Sequence, residues 1–205
     1  MKISRKVLGG LAAGVTLSLL QVSCAPSFEG AYSDPAKAEI VDDKWNETDA
    51  RKTAQTIIAS VVSKPWIVEH KTKTRQKPVV IVDMVENRTD EHIDTKALTE
   101  FIRDELINSG KVRFLNNQRR DAILKEIKYQ NSGMVAKDSQ KKAGRQIGAD
   151  FLLGGAISSQ VASQGGLKTV TYQTALTLTN LETSEIVWSG KELIKKRFKR
   201  AGAGW

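Results

Sequence analysis

Val170-Thr171-Tyr172-Gln173-Thr174-Ala175-Leu176-Thr177-Leu178-Thr179-Asn180 alternates from one side chain to the next. Val170, Tyr172, Leu176 and Leu178 fall on one face of an extended chain; Thr171, Gln173, Thr177 and Thr179 fall on the other. Successive strand residues point to opposite faces, so a period of two predicts a strand with one face on a core and one face wet. Helices therefore cover this sheet on one side. Glu182-Thr183-Ser184 supplies a turn after it, and Glu185 to Leu193 returns as a final strand. Before it, Gln164-Gly165-Gly166 is a second turn and Phe151 to Val161 a further strand, in which Gly154-Gly155 marks a bulge or a tight contact.

The period changes toward the N-terminus. Ala50, Ala54, Ile57, Ile58, Val61 and Val62 recur at helical spacing, which predicts an amphipathic helix over 47–63 with Asn46 as its cap and Asp49 three residues on. Pro65 stops it, and 69–78 is a basic, polar loop. Val79 to Val85, broken only by Asp83, reads as a buried central strand, followed by a polar loop at 86–92. Asp94 caps a helix with Leu98, Phe101, Ile102 and Leu106 on one face and Gly110 at its end. Val112 to Leu115 is a short strand. Asn116 or Asn117 starts another helix with Ile123, Leu124 and Ile127 turned inward, and 138–147 is a further short helix. Lys195 to Arg200 reads as a basic tail. The fold class is α/β or α+β: a small mixed β-sheet packed by helices, ending in an antiparallel β-meander. The strands at 79 and 112 pair in parallel through the helix between them.

The first residues are of another kind. Lys2, Arg5 and Lys6 precede an uncharged apolar run from Val7 to Leu20, and small residues lead to Cys24, the single cysteine. A basic start, about 14 apolar residues and a small-residue cleavage site describe a signal peptide over 1–23. About 20 apolar residues are needed to span a bilayer, so the run is short for a transmembrane helix. Cys24 then becomes the acylated first residue of a lipoprotein, carrying a covalent diacylglycerol and an N-acyl chain; two or more chains anchor stably. Gln21 stands where Leu is usual, and the other readings are secretion with a free thiol or an uncleaved signal anchor. Ala25 follows, not Asp, so the inner-membrane retention signal is absent and the outer membrane, facing the periplasm, is the expected location. Residues 24–43 are a polar tether with Pro26, Gly30 and Pro35. The domain 44–205, about 160 residues, holds a core large enough to fold without staples.

The chain carries 32 Lys+Arg against 23 Asp+Glu; without the three basic signal residues 29 remain, a net +6. Export makes nucleic acid an unexpected partner, and the positive excess should meet anionic lipid, wall polymer or an acidic protein surface. One cysteine excludes an intrachain disulfide and a thiolate zinc site. Ser139-Gln140-Lys141-Lys142 fits S-x-x-K but lacks the S-D-N and K-T-G companions of penicillin-recognising enzymes. Asp83, Glu86, Asp90, Glu91 and Asp94 could pair for glycan hydrolysis, which needs two carboxylates; a solvated loop and a helix cap account for them as well. His70 and His92 lie on separate loops and make no metal set. Asn46-Glu47-Thr48 and Asn87-Arg88-Thr89 match glycosylation sequons, which capping and turn roles explain. Trp188 reads as core packing, and Trp205 as either a free end or a contact.

Several stretches in one order resemble the LpoB family, outer-membrane lipoprotein activators of penicillin-binding proteins. They are Trp45-Asn46 opening a helix, Val79 to Val85 running into Asn87-Arg88-Thr89, the Asp94 helix, Arg145-Gln146-Ile147-Gly148-Ala149-Asp150-Phe151, and Leu181-Glu182-Thr183-Ser184-Glu185-Ile186-Val187-Trp188-Ser189-Gly190. The resemblance implies a non-enzymatic regulator with no cofactor and no small-molecule substrate. Such a protein reaches through the peptidoglycan and activates a class A penicillin-binding protein. The tether here is short for that family. Curli-channel lipoproteins and the N-terminal domain of TolB share a related fold, so a structural or secretion-related lipoprotein is the alternative. The docking face is left open; Asn87, Arg88 and Thr89 in the loop and Gln164 and Lys168 at the hairpin turn are the candidate partner contacts.

Overall fold

The computed structural model describes residues 30–34, 37–38, 40, 42–142, 144 and 146–199. The signal peptide, Cys24, Arg145, Arg200 and Trp205 lie outside the described residues. The chain divides into two units at Pro35 and Ala36, and every element below belongs to the second.

The order is α1 (Glu47–Val62), α2 (Trp66–Thr74), β1 (Val79–Val82), β2 (Glu86–Arg88), α3 (Thr95–Asn108), β3 (Arg113–Phe114), α4 (Arg120–Tyr129), β4 (Phe151–Gln164), β5 (Leu167–Asn180) and β6 (Ile186–Lys199). The strands form one mixed sheet in the order β3-β1-β4-β5-β6, with β2 alongside β4. β1 runs parallel to β3 and β4, and β2 runs parallel to β4; β4, β5 and β6 form the antiparallel meander. The fold is α+β.

The alternation of β5 is observed as expected: Val170, Tyr172, Thr174, Leu176 and Leu178 are all buried, and the residues between them are partly or fully exposed. α1 packs against β6 and α3 against α1, and Ile57, Ile58, Val61, Leu98, Ile102 and Leu106 share one core with the buried row. α1 begins with a full capping box: Asn46 Oδ1 accepts from the Asp49 N–H at 3.1 Å, and the Asp49 carboxylate accepts from the Asn46 N–H at 3.0 Å. Asp94 caps α3 through the Ala97 N–H, and Gly110, at φ 62°, follows its end. Gly165 and Gly166 both take positive φ, the backbone a two-residue hairpin needs to follow the strand twist. Trp188 is core, its indole N–H reaching Ser60 Oγ at 3.4 Å. Gly154-Gly155 makes a tight contact and no bulge: the β4–β5 register is unbroken, and a Cβ on Gly155 would stand 2.1 Å from the Ala175 carbonyl oxygen.

Six expectations are corrected. Pro65 ends one helix and opens the next; its φ of −61° suits a first turn, and buried Trp66 and Ile67 anchor α2 where a loop was expected at 69–78. The strand expected over 79–85 breaks after Val82, because Val85 dips into the core with its N–H on Thr99 Oγ1. The start of the polar loop is β2, paired with β4. α4 forms, but Ile123 and Leu124 are 43% and 45% exposed rather than inward, since α4 packs on its own flanking turns. The described residues of 138–147 form a turn and irregular chain, not a helix. Finally, Lys195–Lys199 is not a tail: β6 continues through it in unbroken register with β5.

Candidate functional site

The sheet places the two sets of candidate contacts apart. Arg88 lies beside Ser158 on β4, and Gln164 is six residues further along that strand, about 20 Å away. Within the first set, Asn87 folds the loop. Its Oδ1 accepts from the Thr89 N–H and hydroxyl, and its Nδ2 donates to the Glu91 carbonyl at 2.8 Å. Arg88 forks onto Glu86 at 2.6 and 2.9 Å; this guanidinium holds the Glu86 carboxyl below its usual range. In the second set, Gln164 ends β4 and Lys168 pairs with the Asp43 carboxylate.

What connects the sets is a segment that the sequence reading assigned to the tether and the first helix. Residues 42–45, a strap, cross the buried face of β5 and β6. Tyr172 Oη donates to Glu91 Oε1 at 2.7 Å and has the Asp43 carbonyl 3.0 Å away. The Trp45 N–H donates to Glu91 Oε2 at 3.3 Å, and the Trp45 and Tyr172 rings meet edge to face at 5.4 Å. Lys196, only 5% exposed, donates to the Lys44 carbonyl and pairs with Asp49 at 2.6 Å. A contact path therefore runs from the 86–92 loop through Glu91 and Tyr172 to Asp43 and Lys168 at the hairpin. Burial, with Glu91 next, pushes the Tyr172 hydroxyl well above its ordinary value of 10.0. Lys168 holds the Asp43 carboxyl below its ordinary 3.8.

Tyr172, Glu91, Lys196, Asp49 and Trp45 were missed as a group. One signal was present: Tyr172 sits in the apolar row of its strand, and a buried tyrosine hydroxyl finds a partner. Nothing in the local sequence named Glu91 as that partner.

The remaining candidates hold structural positions. Asp83 Oδ1 accepts from the Met84 N–H, Glu86 is held by Arg88, Glu91 by Tyr172, and Asp94 by the helix it caps. Ser139 Oγ donates to the Ala136 carbonyl within a turn. His70 Nε2 lies 3.5 Å from Asp150 Oδ2, an oxygen that also accepts from the Val79 N–H, and its ring meets Phe151 edge to face. Among the described residues no three His, Cys, Asp or Glu side chains gather as a metal set. The arrangement is one of positioned surfaces and committed polar groups.

The family model for the peptidoglycan-synthase activator LpoB matches residues 49–194. The chain belongs to the LpoB family. The penicillin-binding protein activator LpoB of Escherichia coli K12 is 28% identical over 119 residues, 58% of this chain and 53% of that protein. The LpoB of Salmonella typhimurium LT2 is 27% identical over the same length. The chain spans about half the length of the curated LpoB relatives it matches. The solved C-terminal domain of Escherichia coli LpoB is 23% identical, with a TM-score of 0.43 over 71% of this chain and 98% of that one. The LpoB match begins at Asp49 and ends at Ile194, so the strap and Lys196 fall outside it while Glu91 and Tyr172 fall inside.

Proposed function

We propose that this chain is a lipid-anchored, non-enzymatic regulator of peptidoglycan synthesis that binds and activates a class A penicillin-binding protein. The LpoB family match over 49–194 carries this reading. In it, Cys24 bears the acyl chains, the outer membrane is the anchor, and the domain faces the periplasm. The domain needs no cofactor, nucleic acid or small-molecule substrate for this work. An activator shifts its target by binding one conformation better than another; a tenfold preference corresponds to about 1.4 kcal/mol. A docking surface held by committed hydrogen bonds loses little entropy on binding, which suits that task. The strap bears on reach. With 42–45 held on the sheet, the tether proper is Ala25 to Val41, whose 17 residues extend at most about 56–61 Å.

The test is capture of a class A penicillin-binding protein from whole envelopes by the full chain, with glycan polymerisation by the purified synthase measured with and without it. Faster polymerisation on addition of the chain is expected. No capture and an unchanged rate would overturn the reading and favour a structural or secretion-related role. Palmitate labelling lost in Cys24→Ala tests the anchor separately.

A further inference from the structure

β6 pairs with β5 along one side and meets no strand on the other among the described residues. An open edge 14 residues long presents unpaired N–H and C=O groups to any extended chain. The outward side chains of its second half are Lys191, Leu193, Lys195, Arg197 and Lys199, all exposed, with Leu193 at 51%. Among the described residues none of the four cations is in an ion pair. The β5 residues opposite them, Ala175, Gln173, Thr171, Thr169 and Leu167, are uncharged. The row is thus an uncompensated line of positive charge along the rim of a neutral face.

We propose that the β6 edge from Lys191 to Lys199 takes an acidic extended segment of a partner protein by strand addition. The period of the edge selects the partner. A strand added there repeats its side chains on one face every second residue, about 6.6–6.8 Å apart, so alternating carboxylates fall opposite the cations. Opposite charges facing across a ladder stabilise it, and like charges destabilise it. The same rule excludes a second copy of this chain, whose β6 would set Lys and Arg against Lys and Arg. An anionic membrane fits less well. The centre of the bare face, with Ser158, Gln160, Thr171 and Gln173, is uncharged, and the cations lie where a backbone ladder can form beside them. The edge is independent of the synthase reading: a peptide can be captured whether or not any synthase is activated.

The probe is a fluorescein-labelled ten-residue peptide alternating Glu and Thr, titrated by anisotropy against the full chain in detergent. It should bind at low salt and weaken as salt rises, since exposed charges are screened. An alternating Lys-Thr peptide should not bind, nor should the Glu-Thr peptide with every backbone nitrogen methylated, which keeps the charge and loses the ladder. The double substitution Lys195→Thr, Arg197→Thr should weaken binding roughly tenfold, whereas Lys73→Thr on α2 should leave it unchanged. Should the double variant fail to fold, the methylated peptide decides the matter on the unaltered chain. Equal binding of the methylated peptide overturns the proposal. So does capture of the chain by phosphatidylglycerol vesicles with no binding of the Glu-Thr peptide.

Discussion

Lys195 and Lys196 are neighbours on β6 and meet opposite surroundings. Lys195 points to the bare face, is solvated and has no ion pair among the described residues. Lys196 points under the helices beside Val170, with its ammonium on Asp49 and the Lys44 carbonyl. One step of register separates them. The comparison teaches that parity, and not residue type, sets what a charge costs on this sheet. The outward lysine keeps its water. The inward one has given it up, and stays buried because a carboxylate and a carbonyl replace that water.

The largest way to break the pair is to remove one side of it. Lys196→Ala leaves the Asp49 carboxylate buried without its cation, and should cost about 3–5 kcal/mol in urea denaturation. Lys195→Ala should stay within about 0.5 kcal/mol. Equal losses at the two positions would mean that the strand does not present these faces. The Lys196→Ala, Asp49→Ala double variant should fall short of the summed single losses, because each single change strands the other's partner.

Tyr172 sharpens the contrast on β5. Tyr172→Phe removes a hydrogen bond to a carboxylate and should cost about 1.5–3 kcal/mol at neutral pH, while Gln173→Ala on the outer face should be nearly silent. The pH profile identifies the hydroxyl itself. Its folded pKa stands above 10.0, so its stabilising contribution is complete below pH 10 and is lost as pH rises from there through the folded value. Native protein should therefore weaken above pH 10, and Tyr172→Phe should lack that part of the slope.

Gly154 and Gly155 repeat the lesson for backbone approach. A Cβ on Gly155 would collide with the Ala175 carbonyl, so Gly155→Ala should cost about 1–3 kcal/mol by thermal melting. A Cβ on Gly154 meets only Asp83 Cβ, at 3.5 Å, an ordinary contact. Gly154→Ala should be far milder.

How much of this could be read from the chain follows the same division. The two-sided character of β5, the caps at Asn46 and Asp94, the glycine hairpin and the parallel β1–β3 pair were legible, because each rests on a local period or a local turn preference. β6 beyond Leu193 was not. In Ile194-Lys195-Lys196-Arg197-Phe198, the buried lysine sits between two exposed basic residues, so charge masks the alternation. α4 misled for the opposite reason. Its apolar residues have helical spacing, and spacing alone does not say that a partner surface is present. The strap was illegible because its contacts reach 46 to 152 residues along the chain.

The smallest effect tests whether the strap is held at its outer end as well as at its buried one. Asp43 is a carboxylate near the surface paired with Lys168, and exposed pairs contribute little, so Asp43→Asn should cost no more than about 1 kcal/mol. Its folded pKa lies below 3.8, so its contribution is complete above that pH and is lost as pH falls through the folded value. Hydrogen exchange of the Lys44 and Trp45 amides should thus speed up in Asp43→Asn at neutral pH, with Lys196 still holding the Lys44 carbonyl and global stability almost unchanged. Unchanged exchange would mean that the buried lysine alone fixes the strap and that the Lys168 pair is incidental. Faster exchange with an intact core would show the strap opening from its solvated, N-terminal end.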